Sequence, residues 1–280
     1  MKISFVTVNY NNSMLTINYI NSVLSIKNIY DSLVNIVIVD NNSELEDYNY
    51  LKDNIQDDKR IRIIKLNNNV GYTKGLNVGL MHERDNHLDY IIATNNDIIF
   101  DSNFLNILQT KEFPEKTFLI IPDSITLDGW HQNPQWVEKK NNFKMKIIDI
   151  YYTNYFFAII IDILLKLKRL YFPKKQSNYY LNSGQIYLST GVCFIFTKKY
   201  LEICKYFEEI VFMWCEEGIL AAQIEKNGGI SYYEKDLKIL HFESCSVNKI
   251  VNKEKYKMYK KSYWICKNYM NNNYVDCNVK

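Results

Sequence analysis

Three acidic places in this sequence can carry chemistry. Asp40 ends the apolar run Ile36–Val39 and opens Asp40-Asn41-Asn42-Ser43. A carboxylate there can accept a hydrogen bond from a ligand's ring N–H, or it can cap a helix or close an Asx turn. Asp97 ends Asn95-Asn96-Asp97, directly after another apolar run. A lone carboxylate of this kind can hold a hard divalent cation, which prefers oxygen ligands and few protein contacts. Glu216-Glu217 precede an apolar stretch of helical spacing. Acids at a helix start can act as a general base, or simply favour the helix dipole. A base must come within about 2.6–3.2 Å of the proton it removes.

The elements that would position these groups follow from hydrophobic periodicity. Ile3–Val8, Ile36–Val39, Ile61–Leu66, Tyr90–Thr94 and Phe118–Ile121 read as strands. Met14–Ile26, Leu45–Ile55 and Tyr72–His82 read as helices between them. This βαβαβαβ alternation predicts an α/β fold with a mostly parallel central sheet flanked by helices. Right-handed crossovers put the strand C-termini on one edge, where open α/β sheets bind ligands. Polar clusters follow the first four strands: Asn9–Asn12, Asp40–Ser43, Asn67–Gly71 and Asn95–Asp97. One such cluster is a turn; four at strand C-termini describe a site on one rim. Further on, Val192–Phe196, Ile230–Tyr233 and Ile239–His241 read as strands, and Glu216–Asn227 and Lys253–Met270 as helices.

These segments carry a resemblance. Val6-Thr7-Val8-Asn9-Tyr10-Asn11, Ile38–Ser43, Asn69-Val70-Gly71 with Asn77-Val78-Gly79, and Asn95-Asn96-Asp97 resemble the nucleotide-binding half of family 2 glycosyltransferases. Thr190–Cys193, Phe212–Glu217 and His241–Ser244 are similar to the family's glycine loop, acidic helix start and late histidine. The likeness covers about residues 1–122 and 184–247, and its type is that of rhamnosyltransferase-like, capsular and exopolysaccharide enzymes. It implies the GT-A fold with a smaller acceptor-side lobe, and one continuous domain. Within that domain, 1–122 would be the nucleotide-sugar half, 123–183 an irregular or helical insertion, and 184–280 the acceptor half.

The resemblance also implies roles. Thr7, Asn9, Asp40, Asn69, Gly71, Asn95 and Asn96 would bind the nucleotide, with Asp40 reading a uracil or thymine N–H. Asp97 and His241 would hold Mg²⁺ or Mn²⁺, Asp97 keeping only the last acid of a D-x-D-type motif. Glu217 would be the base of an inverting transfer, standing where the family usually has Asp, with Glu216 orienting the acceptor. Gly191 and Trp214 would face the donor or acceptor. For His241 a structural role beside a strand end competes, and for Gly191 a simple turn. Lys74, after the Asn-x-Gly, can face phosphate or solvent. The expected reaction moves a sugar from a UDP- or dTDP-sugar to a glycan or lipid-linked acceptor in surface polysaccharide (capsule, exopolysaccharide or lipopolysaccharide) synthesis. The alternative is a degenerate relative that binds a nucleotide sugar or a partner without turnover.

Composition bounds these readings. The 280 residues carry a formal net charge of +3, and the basic residues are spread along the chain, so no nucleic-acid partner is expected. Nine glycines and four prolines exclude linker-rich or collagen-like classes. Six cysteines lack C-x-x-C spacing, which fits reduced thiols in the cytoplasm. The start shows no signal-peptide pattern, and the apolar stretch Ile150–Ile161 is short of a membrane span. Within Ile147–Phe172, Ile159, Ile163 and Leu167 recur at helical spacing, with Lys166, Lys168 and Arg169 nearby. That pattern fits a core or lid helix, or an amphipathic helix on the inner face of the cytoplasmic membrane.

Overall fold

A computed structural model of the chain describes residues 1–29, 32–55, 57–84, 87–140, 142–172, 175–212, 214–242 and 253–271. Met213, Glu243, Ser244, Cys245 and Cys277, which the motifs and the cysteine count invoked, lie outside them. Cys193, Cys204, Cys215 and Cys266 are free thiols.

The first half alternates as its periodicity predicts: β1 (Lys2–Asn9), α1 (Ser13–Leu24), β2 (Leu33–Asp40), α2 (Leu45–Asn54), β3 (Ile61–Lys65), α3 (Tyr72–Glu83) and β4 (Tyr90–Thr94). β5 (Ile98–Phe100), α4 (Phe104–Thr110) and β6 (Thr117–Thr126) follow. The middle holds α5 (Asn142–Tyr151), α6 (Tyr155–Tyr171) and β7 (Gly184–Ile186). The chain closes with β8 (Cys193–Thr197), α7 (Lys198–Ile203), α8 (Glu216–Lys226), β9 (Ile230–His241) and α9 (Lys253–Met270).

All nine strands form one sheet in the order β3-β2-β1-β4-β8-β6-β9-β5, with β7 paired to β9. Parallel pairing holds across β3-β2-β1-β4, as expected. Beyond β4 the sheet is mixed: β8 runs antiparallel to both β4 and β6, and β9 is parallel to β6. The mixed half has a local cause. β8 follows the long insertion rather than a crossover helix, so no βαβ unit dictates its direction. The two short strands expected at Ile230–Tyr233 and Ile239–His241 are one strand. Its ladder with β6 jumps from Glu234 to Lys238, and that irregularity breaks the apolar alternation.

Side-chain alternation splits the core between the two faces of the sheet. Ile3 and Phe5 of β1 pack with Tyr19 and Val23 of α1 and with Phe104 and Leu108 of α4. Val6 and Val8 pack instead with Leu76 and Leu80 of α3, Tyr200 of α7 and Leu220 of α8. Helix α3 lies close on β1 because Gly79 lacks a side chain: a Cβ there would stand 2.3 Å from Val6 Cγ1. Gly79→Ala is expected to destabilise the fold by about 1–3 kcal/mol. Gly184→Ala, where a Cβ meets nothing within 4 Å, is expected to be near neutral. Urea denaturation of both variants checks this.

Candidate active site

The four polar clusters meet on one rim. Asn12, Asn41, Asn69, Gly71, Asn95 and Asp97, with Tyr10 and Tyr72, line a cleft of about 260 Å³ at the C-terminal ends of β1, β2 and β4. Its walls are held by amides. Asn41 Nδ2 donates to Asn69 Oδ1 (3.0 Å) and to Gly71 O (3.2 Å), while Asn41 Oδ1 accepts from Val70 N (2.9 Å). Gly71 has φ +89°, and a Cβ there would lie 2.5 Å from Phe212 O. Only glycine fits both demands, so the rim touches the segment leading to Glu216.

Three of the expected nucleotide-binding residues lie deeper. Asn9 is fully buried; its Nδ2 donates to Asp40 Oδ2 (2.9 Å) and Ser43 Oγ (3.1 Å), and its Oδ1 accepts from Thr16 Oγ1 (2.7 Å). Asp40 is equally buried, its other oxygen accepting from Ser43 N at 3.1 Å. Thr7 Oγ1 donates to Thr94 O at 2.8 Å. These groups pin the rim together rather than line the cleft, and the next residue along, Asn41, faces it. Asp47 joins the network: burial pushes its pKa up, but hydrogen bonds from Ser13, Asn9 and Ser43 outweigh that and hold it low. Asn69, Gly71, Asn95 and Asn96 do line the cleft, Asn96 with its Nδ2 on Thr16 Oγ1 (2.8 Å). Lys74 is exposed and outside it.

Asp97 and His241 are brought together by β5, an element too short to read from sequence. Ile98 pairs with His241 in the antiparallel β5–β9 ladder, and Phe242 N donates to Asp97 O at 2.9 Å. His241 Nε2 then lies 3.3 Å from Asp97 Oδ1, both side chains being about nine-tenths buried. On its other side His241 Nδ1 is 2.8 Å from Gln132 Oε1. An amide oxygen only accepts, so Nδ1–H donates to it, and Nε2 faces the Asp97 carboxylate. An imidazole nitrogen beside a carboxylate oxygen is a ligand set that suits a divalent cation. Among the described residues no third His, Cys, Asp or Glu completes such a site. Gln132 was not legible in sequence: it is a single amide in an irregular segment.

Glu216 and Glu217 open α8 after a tight turn. Trp214 and Cys215 both take positive φ, 67° and 69°, a conformation that costs a non-glycine residue about 1–3 kcal/mol. Trp214 stacks on Tyr259, and Trp214 N donates to Glu216 Oε1 at 2.8 Å. Gly191 N–H donates to the Glu217 carboxylate. A Cβ on Gly191 would stand 2.7 Å from Glu217 Oε1, so glycine lets the backbone reach it. Val192 O, next along, accepts from Asn95 N at 2.9 Å. The glycine loop thereby ties Glu217 to the loop carrying Asp97. Burial and the adjacent Glu217 charge push Glu216 up to about 7, and burial also raises Glu217.

The two glutamates open not into the amide cleft but into a second, more apolar cavity of about 480 Å³. A third, open cleft of about 800 Å³ is lined by Gln132, the partner of His241, and shares Trp136 and Gln135 with the apolar cavity. Tyr72 is the other residue missed in sequence, though its place just after the rim glycine was a signal. Burial, then the charges of Glu216 and Asp97, raise its phenol pKa. Its hydroxyl is buried with no hydrogen-bond partner among the described residues.

The family model described as Glycosyl transferase family 2 matches residues 4–202, spanning the cleft and the glycine loop. The chain belongs to that family. Solved structures agree on the GT-A fold. One is the mannosyltransferase PcManGT from Pyrobaculum calidifontis in complex with GDP-Man and Mn²⁺, with a TM-score of 0.55 and 12% identity over 88% of this chain and 58% of that one. GalNAc-T7 with UDP, GalNAc and Mn²⁺ gives 0.57 and 13%, over 98% and 50%. S. aureus TarS 1-349 with UDP-GlcNAc gives 0.54 and 14%, over 92% and 64%. The chain thus spans about half to two-thirds of those chains. No curated protein matches it in sequence.

The glutamate pair predicts a pH dependence of stability. Glu216 has a folded pKa near 7 against an ordinary 4.5, so the folded state binds its proton more tightly than the unfolded chain does. Its contribution is full below pH 4.5 and is lost as pH rises to about 7. Glu216→Gln keeps an oxygen for Trp214 N–H and removes the charge. Above pH 7 it is expected to be more stable than the native chain by up to about 3 kcal/mol, with the difference vanishing near pH 4. Thermal unfolding from pH 4 to 8 reads this out.

Proposed function

We propose that this family 2 enzyme transfers a sugar, with inversion, from a UDP- or dTDP-sugar to a glycan or lipid-linked acceptor of surface polysaccharide synthesis. The carrying observation is the Asp97–His241 pair, 3.3 Å apart at the rim where the four strand-end loops meet. The amide cleft supports nucleotide recognition: Asn41, Asn69, Asn95 and Asn96 offer donors and acceptors to a base and ribose. Asp40, Asn9 and Thr7 keep that wall in shape from beneath. Asp97 and His241 would hold Mg²⁺ or Mn²⁺, with further ligands from the diphosphate or water. When bound, the cation supplies positive charge to the departing nucleoside diphosphate.

Glu217 takes the acceptor hydroxyl proton, its carboxylate oriented by Gly191 N–H. A burial-raised pKa brings such a base nearer to working pH. Glu216 orients the acceptor. The Tyr72 hydroxyl, buried without a partner, donates to the donor substrate. The open cleft, with Trp130, Trp136, His131 and Gln132, suits saccharide rings, which stack on aromatics and bond to amides.

Activity and binding separate these roles. Glu217→Gln is expected to lower kcat by about 10²–10⁴ while donor binding persists. Asp97→Asn is expected to abolish the extra thermal stabilisation that Mn²⁺ gives to a UDP- or dTDP-sugar complex. Tyr72→Phe is expected to weaken donor binding with stability unchanged or raised, because it removes an unsatisfied buried hydroxyl. Donor binding with no turnover in the native enzyme would favour the degenerate reading instead.

Membrane docking belongs to the same proposal. The apolar stretch splits at Asn154, whose side chain caps α6 by accepting from Phe157 N. Only Ala158 of α6 is buried, while Leu164 is 59% and Leu170 72% exposed. Among the described residues no helix is long and apolar enough to cross a membrane, so α6 would lie in the interface with Lys166, Lys168 and Arg169 toward anionic headgroups. The chain is expected to sediment with anionic liposomes at low salt, and Leu164→Lys with Leu167→Lys to prevent it.

A further inference from the structure

We propose that the 480 Å³ cavity beside Glu217 holds a hydrocarbon chain of the acceptor, so that the substrate class is an alcohol carried close to an alkyl or isoprenoid tail. This rests on the glycosyl-transfer reading and adds the acceptor's chemistry to it. The cavity wall is apolar: Trp136 and Leu188 on one side, Met145 and Ile148 of α5 on another, Trp214 and Met270 closing it. Two polar groups of that wall, Lys267 and Tyr263, are engaged with Asp149. Lys267 Nζ lies 2.5 Å from Asp149 Oδ1, and Tyr263 O–H donates to the same oxygen at 2.6 Å. A saccharide needs convergent donors and acceptors, and Lys267 and Tyr263 have spent theirs on Asp149, while most of the wall is apolar; a hydrocarbon needs none. The neighbouring open cleft, by contrast, is lined by amides, lysines and a histidine, so the two spaces divide a glycolipid by polarity.

The position agrees. The cavity's inner end is Glu216-Glu217, which puts the chain next to the reacting hydroxyl. Its outer wall is α5, which leads through residues 152–154 into α6 and that helix's exposed apolar face. The exposed apolar face of α6 is thus joined in the chain to the helix that walls the cavity. Helix α5 is fixed in this role by α9: Tyr256 O–H donates to Tyr151 O at 2.9 Å and Trp264 Nε1 to Tyr152 O at 3.2 Å.

Binding of butyl, hexyl and octyl β-glucosides, below their micelle concentrations and without donor or metal, tests this through the fluorescence of Trp136 and Trp214. Affinity is expected to rise up to about fourfold per added methylene. Ile148→Asp, which puts a charge in the cavity, and Ile148→Trp, which fills it, are both expected to flatten that dependence. Leu164→Lys on α6 is expected to leave it intact. Affinity independent of chain length overturns the proposal, as does a dependence that survives both Ile148 variants but is lost in Leu164→Lys. Because no transfer is measured, a failure of the glycosyltransferase reading would show separately, as absent turnover with the chain-length dependence retained.

Discussion

The geometry of this site hangs on three residues of antiparallel pairing. β5 is only Ile98–Phe100, yet its register against β9 sets Asp97 beside His241 and locks Phe242 N onto Asp97 O. β9 in turn runs parallel to β6, whose last residues Ser124 and Thr126 pair near the same histidine and bond to the turn that carries Gln132. Asp97, His241 and Gln132 come from segments far apart in sequence. They meet because backbone ladders, not side-chain attraction, fix their separation.

The second constraint is electrostatic. Glu216 and Glu217 are adjacent, largely shielded from water and served by few donors, so burial raises the cost of ionising both and the Glu217 charge adds to it at Glu216. The chain meets that cost with backbone rather than with cations. Gly191 and Trp214 supply N–H groups, and two left-handed residues bend the chain so that both glutamates start α8. Such strain and charge persist only where the surroundings over-determine them. Here α3 does so through Asn77, which bonds to Phe207 N and Phe207 O and steadies the segment leading into the turn.

Much of this was legible in sequence, and the boundary is instructive. The strands β1 to β4 and their helices were readable because β-branched runs and 3.6-residue periodicity agree with burial there; α9 was readable to the residue. The four polar clusters correctly marked one rim. What sequence does not reveal is which way a strand-end side chain turns. Asp40 and Asn41 are equally polar neighbours, yet the first faces a buried network and the second the cleft, a difference set by cross-chain partners Asn9, Ser43 and Asn69. β5 was invisible because three residues show no period, and Gln132 because nothing local distinguishes one amide in an irregular loop. The parallel expectation weakened where the insertion replaced a crossover helix.

The meeting of Gly71 with Phe212 bears on how this fold can be recombined. The loop that shapes the amide cleft and the loop that leads to the glutamates share one van der Waals boundary, sealed by a missing methyl and by the Asn77 clamp a turn later. A chimera that exchanged acceptor halves at the glycine loop would part these surfaces and put a foreign loop against a backbone cut to fit this one. Swaps that respect the contact must carry residues 207–212 along with α3, so the modular unit is larger than the strand count alone suggests.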